Sequence, residues 1–159
     1  ALDTGFFLKT SDIVVEKNAL FFSNNQNEFF SLDAQTGNLN WKQEINSNLR
    51  PVIINDLIFT VTLEGYLVIV EKNSGNIVRS NYLLNQFKKK KRPDIEPTGF
   101  IIGNKNIYLS NNIGRLSVID IATGVTRNIL KIDNKKISRP AIFNKNLYII
   151  SNNSIIKLD

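Results

Sequence analysis

The sequence predicts an all-β fold built from repeated four-stranded antiparallel sheets. Three observations lead there: short apolar bursts that recur at a spacing near forty residues, a polar hairpin motif that returns at the same point of each unit, and no stretch of comparable length with helical periodicity. The bursts open as Asn18-Ala-Leu-Phe-Phe-Ser, Asp56-Leu-Ile-Phe-Thr-Val, Asn106-Ile-Tyr-Leu-Ser and Asn146-Leu-Tyr-Ile-Ile-Ser. A second burst follows each and ends on an acid at Asp33, Glu71, Asp120 and Asp159, so the steps are 38, 49 and 39 residues. That is the size of one blade of a β-propeller, with an insertion in the long middle step.

Alternation and breakers place the strands in order. The first unit carries them near 12–16, 19–23, 28–33 and 39–44, and the second near 51–54, 57–62, 66–71 and 76–82. The third has 98–102, 106–110, 115–120 and 125–131, and the last only 140–143, 146–151 and 154–158. The 159 residues thus read as one propeller segment, 1–159, of about four blades, with units near 11–48, 49–92, 93–136 and 137–159 plus 1–10. Residues 1–10 are expected to supply the strand the last unit lacks, because a donated strand removes an open sheet edge. With no Met and a start at Ala1, the chain is expected to be a processed or excised segment.

The hairpin after the second burst is the sharpest motif. It reads Ser31-Leu-Asp-Ala-Gln-Thr-Gly-Asn-Leu-Asn-Trp41, with counterparts over 69–79 and 118–128. Asp33, Glu71 and Asp120 can accept hydrogen bonds from turn amides, as can the hydroxyls of Thr36, Ser74 and Thr123. Gly37, Gly75 and Gly124 permit the left-handed backbone of a tight turn. Trp41 is expected to fill the seam between neighbouring sheets, a task that Arg79 and Asn128 at the equivalent places cannot perform with a ring.

Composition removes whole classes of chemistry. The chain has no His and no Cys, so Ser–His hydrolases, thiolate nucleophiles, disulfides and ordinary zinc sites are excluded. No apolar run approaches the ~20 residues of a membrane-spanning helix. The net charge of +6 is local, since Lys88, Lys89, Lys90, Lys91 and Arg92 supply five of it.

The hairpin pattern resembles the tryptophan-docking motif of the PQQ-like β-propeller repeat family. Residues 32–41 match it, with Ser31 in place of the usual Ala, while 69–79 and 118–128 keep the acid, hydroxyl and glycine but lose the Trp. Within that family the ending Arg139-Pro-Ala-Ile-Phe-Asn-Lys-Asn-Leu-Tyr resembles the C-terminal half of BamB-type outer-membrane-protein assembly lipoproteins. The resemblance implies a non-enzymatic, periplasmic, outer-membrane-associated scaffold, with no cofactor and no metal. It also implies a parent ring of seven or eight blades. This chain is then a partial or half propeller, or one of two copies that complete an eight-bladed ring.

Candidate binding residues follow from charge and position. The run Lys88–Arg92, ahead of Pro93 and Pro97, is expected on the face that also carries the loops between second and third strands. Its functional reading is a contact for an acidic protein surface or anionic lipid headgroups, and its plain reading a solvated insertion. Nucleic acid is not expected, because only Phe87 adjoins the run. Arg50-Pro51 and Arg139-Pro140 stand at equivalent strand starts, where the arginines could rim a central channel and bind carboxylates. The alternative is a fragment of a PQQ-dependent dehydrogenase, which would ask an acid, calcium and a stacking Trp of residues that read as hairpin parts.

Overall fold

The computed structural model describes residues 7–159. Among the described residues fifteen strands form four separate antiparallel sheets. The first contains β1 (Val14–Glu16), β2 (Ala19–Asn24), β3 (Glu28–Asp33) and β4 (Leu39–Gln43) in that spatial order. The second contains β5 (Val52–Ile54), β6 (Leu57–Val61), β7 (Tyr66–Glu71) and β8 (Ile77–Tyr82), and the third β9 (Pro97–Gly103), β10 (Asn106–Asn111), β11 (Arg115–Asp120) and β12 (Thr126–Lys131). The last has β13 (Ala141–Phe143), β14 (Asn146–Ser151) and β15 (Ser154–Leu158). Each sheet is an up-and-down meander, as the blade reading requires. Among the described residues no helix is long and apolar enough to cross a membrane.

Local chemistry explains the meander. Asn27, Asn55, Asn104, Asn144, Asn152 and Asn153 all adopt positive φ, the left-handed backbone that Asn tolerates better than most residues. At the third hairpin of the first blade, Asp33 Oδ1 accepts from the Gln35 and Thr36 amides and from the Thr36 hydroxyl. Asp120 repeats this with Thr123, and the Ser74 hydroxyl donates to Glu71. The Gly37, Gly75 and Gly124 amides close the turns on the carbonyls of their acids.

The sequence comparison misplaces one register. In β10 and β14 the strand starts at Asn106 and Asn146, and the left-handed turn residues before them are Lys105 and Lys145. Asn106 pairs with Asp120 as Ala19 does with Asp33. The residues equivalent to Asn18 and Asp56 are therefore lysines, one place earlier than the polar markers suggest.

Sheets stack face to face, and the core lies in the seams. Phe21, Phe29 and Trp41 of the first blade pack on Ile58, Val68 and Val70 of the second. Phe59, Val61, Leu67 and Ile69 on the opposite face of the second then meet Phe100, Ile107, Leu109 and Ile119 of the third. Leu116 and Tyr108 of the third meet Leu147 and Ile149 of the last. Strict period-two alternation is what gives one sheet two different buried faces. Full burial of one such side chain stabilises by about 1.5–3 kcal/mol, so each seam holds its sheets firmly. β1, β5 and β9, with Arg139 ahead of β13, line a common cavity. The closing strand was expected from residues 1–10, of which 1–6 lie outside the described residues. Lys9 and Thr10 run beside Asn24 and Asn25 of the first blade.

Candidate functional site

One face of the molecule gathers every connector between blades. Ser47 of the β4–β5 connector donates its amide to the Asn24 carbonyl, and Leu63 in the β6–β7 turn donates to Asn46. Asn112 donates to Glu96, and Ile137 to Asn111. Connectors and second-to-third-strand turns thus lie side by side, as the sequence reading placed them.

The basic insertion is a built loop. Residues Leu84–Gln86 and Lys89–Asp94 form two 3-10 turns, anchored by buried Leu84 and Ile95. Arg92 clamps them, donating from Nε to the Phe87 carbonyl at 2.9 Å and from Nη2 to Asn85 at 3.2 Å. Its guanidinium also sits 5.9 Å above the Tyr82 ring. Arg92 is therefore spent on the loop itself. Lys88, Lys89, Lys90 and Lys91 remain exposed, and among the described residues none forms an ion pair.

Arg50 and Arg139 come together with Glu16, Ile53 and Ile101 around a cavity of about 380 Å³. The Arg139 Nε donates to the Phe100 carbonyl at 3.1 Å. Burial, and after it the neighbouring Arg50 charge, holds the Arg139 guanidinium below its usual value, with Asp12 acting the other way. Neither arginine has a carboxylate within ion-pair distance among the described residues. Two guanidiniums sharing a rim repel each other, and an incoming carboxylate would relieve both. The arginines and the lysine run do not share a cavity, so the face offers two basic features and not one patch.

The repeat-motif residues are occupied elsewhere. Trp41 is 8% exposed and donates its indole N–H to the Lys72 carbonyl at 2.9 Å, against Gly75. Arg79, its counterpart, donates from Nη2 to the Ile121 carbonyl at 2.6 Å and from Nη1 to Ala122. Lys72 and Ile121 each follow the acid of the next blade's hairpin, so an indole and a guanidinium capture the same carbonyl. Sequence reasoning missed that role for Arg79, although its place in the repeat marked it. It also missed Arg115, which donates to the Asp133 and Ile113 carbonyls and fixes the third connector.

Comparison with known proteins now bears on this geometry. The family model of the outer membrane protein assembly factor BamB matches residues 7–81. The chain thus resembles the PQQ-like β-propeller repeat proteins. Among solved structures, BamB from Moraxella catarrhalis superposes with a TM-score of 0.73 at 14% identity, over 92% of this chain and 42% of that one. The chain therefore spans less than half the length of that structure's chain. The computationally designed Ika4 protein matches at 0.70 and 10% identity, over 98% of this chain and 93% of its own. The quinohemoprotein alcohol dehydrogenase ADHIIG from Pseudomonas putida HK5 matches at 0.60 and 15% identity, over 73% of this chain and 19% of that one. No curated protein matches in sequence. At these identities the structural likenesses establish the propeller architecture and leave role to the residues.

Proposed function

We propose that the chain is a non-enzymatic protein-binding scaffold that docks acidic partner surfaces on its connector face. By resemblance to BamB, the setting is the periplasm beside the outer membrane, and the client process is assembly of β-barrel proteins. The carrying observation is that Arg50 and Arg139 line one cavity with neither in ion-pair distance of a carboxylate among the described residues, its Glu16 being paired with Lys72, while Lys88–Lys91 are exposed as well. The turn acids favour a scaffold over an enzyme, because Asp33, Glu71 and Asp120 are engaged by their own hairpin donors. The dehydrogenase alternative would need a free Trp to stack on the quinone, and Trp41 is held in a seam.

The test is capture of a purified barrel-assembly component by the wild type and by an R50S/R139S variant, at low and high salt. The scaffold reading expects at least a tenfold loss for the variant and weakening of the wild type with salt. Equal capture by both proteins would remove the arginines from the proposal. A quinone titration in calcium, followed by absorbance, separates the alternative: saturable one-to-one binding would favour the dehydrogenase fragment.

A further inference from the structure

The pairing registers make positions comparable from blade to blade, and two internal seams differ in what fills them. Between the second and third blades, Ile54, Leu57 and Ile69 of the second pack with Ile121 of the third in one apolar cluster. The same places between the first and second blades hold Glu16, Ala19, Ser31 and Lys72. Short or polar side chains thus stand where apolar ones close the neighbouring seam, and a cavity of about 530 Å³ opens there. Small-molecule sites typically occupy ~300–1,000 Å³.

Both walls of this cavity belong to described blades. They come from the β1–β2 turn and the outer strands of the first blade, and from two turns of the second, at Asp56 and at Lys72–Asn73. All three turns lie at the end of the blades opposite the connectors. Lys9 and Thr10, which lead into the first blade, run beside Asn24 and Asn25 at the connector end of β2.

The lining defines the chemistry of a matching ligand. Glu16 and Asp56 both reach the Lys72 ammonium, at 2.9 and 3.7 Å, and Lys17 brings the formal charge of the lining to zero. No net charge is left to select an ion. The amides of Asn18, Asn40 and Asn73 offer neutral donors and acceptors. Ser31 is 2% exposed; its hydroxyl accepts from Asn40 Nδ2 at 3.2 Å, and among the described residues no acceptor takes its own proton. A buried O–H without an acceptor is costly, and a ligand oxygen in the cavity would satisfy it. Ser31 is also the place where the hairpin departs from the alanine of the repeat motif. Phe21 and Trp41 supply an aromatic wall, the indole fixed by its bond to the Lys72 carbonyl. Neutral donors and acceptors against such a wall match the hydroxyls and the apolar C–H face of a sugar.

We propose that this cavity binds a neutral disaccharide, with Ser31 donating to one of its oxygens. This assignment is independent of what the connector face binds.

The single tryptophan lines the cavity, so its fluorescence reads occupancy. The full 159-residue chain is titrated with cellobiose, maltose and chitobiose, with glycylglycine and sodium sulfate alongside, and calorimetry repeats each titration. A saturable response to at least one of the sugars is expected, with half-saturation at ~1 mM or below. Ser31→Ala should weaken it roughly tenfold. Ala19→Leu, which installs the residue of the second blade, should abolish it. Circular dichroism and melting show that both variants fold. Silence from every sugar at ~10 mM in both readouts overturns the proposal. A response unchanged in both variants overturns the location, and a response to glycylglycine or sulfate without one to sugars overturns the ligand class.

Discussion

The seam between the first and second blades and the seam between the second and third solve one problem with different chemistry. In the first, Trp41 covers Gly75 with its ring and bonds the Lys72 carbonyl with its N–H. In the second, Arg79 bonds the equivalent Ile121 carbonyl and its neighbour Ala122, with Asn81 beside Gly124 in place of a ring. The shared element is the captured carbonyl, and the ring is an addition that brings apolar burial. The motif's tryptophan is thus one of two ways to present a donor at that point.

Breaking the first seam should produce the largest effect. Trp41→Ala removes a buried ring and its hydrogen bond, and is expected to cost about 3–5 kcal/mol in chemical denaturation. Gly75→Ala attacks the same contact from the other side, because its Cβ would lie 2.6 Å from the indole at a φ of +76°. A loss of roughly 2–4 kcal/mol is expected, combining overpacking with left-handed strain. Gly37→Ala is the matched control: φ is +72° with open space ahead, so only strain near 1 kcal/mol should remain. Equal losses at the two glycines would refute the docking account.

The second seam should respond more mildly. Arg79→Ala forfeits two charge-assisted bonds from a half-buried side chain, an expected loss of about 1–2 kcal/mol by the same denaturation measurement. The smallest effect concerns pH. Hydrogen bonds from the Thr36 amide, then its hydroxyl, hold the Asp33 carboxyl below its ordinary value. A depressed folded-state value means the contribution is present above the unfolded carboxylate value near ~4 and is lost as pH falls through the folded value. Melting curves of Asp33→Asn should therefore show a flatter decline below pH ~4 than the wild type.

Much of this molecule was legible in its sequence for a physical reason: alternation and left-handed turn residues are local properties. The hairpins at Asp33, Glu71 and Asp120 announce themselves because acid, hydroxyl and glycine must stand at fixed offsets. The sliding of Asn106 and Asn146 by one place shows the limit, since Asn serves equally as a turn residue and as the first residue of a strand. Arg79 was harder, because an arginine on an outer strand has the same local signature whether it points to solvent or to the next blade. Arg50 and Arg139 stand at equivalent places in the repeat, and they line one cavity. The tying of Arg92 into its own loop was not legible, as backbone carbonyl acceptors leave no trace in composition.

The fluorescence of the single tryptophan tests the seam directly. The native protein is expected to show blue-shifted emission resistant to acrylamide quenching, with Gly75→Val shifting both toward the exposed state while the sheets remain folded. Red-shifted, freely quenched emission from the folded wild type would contradict the stacking of the first blade on the second.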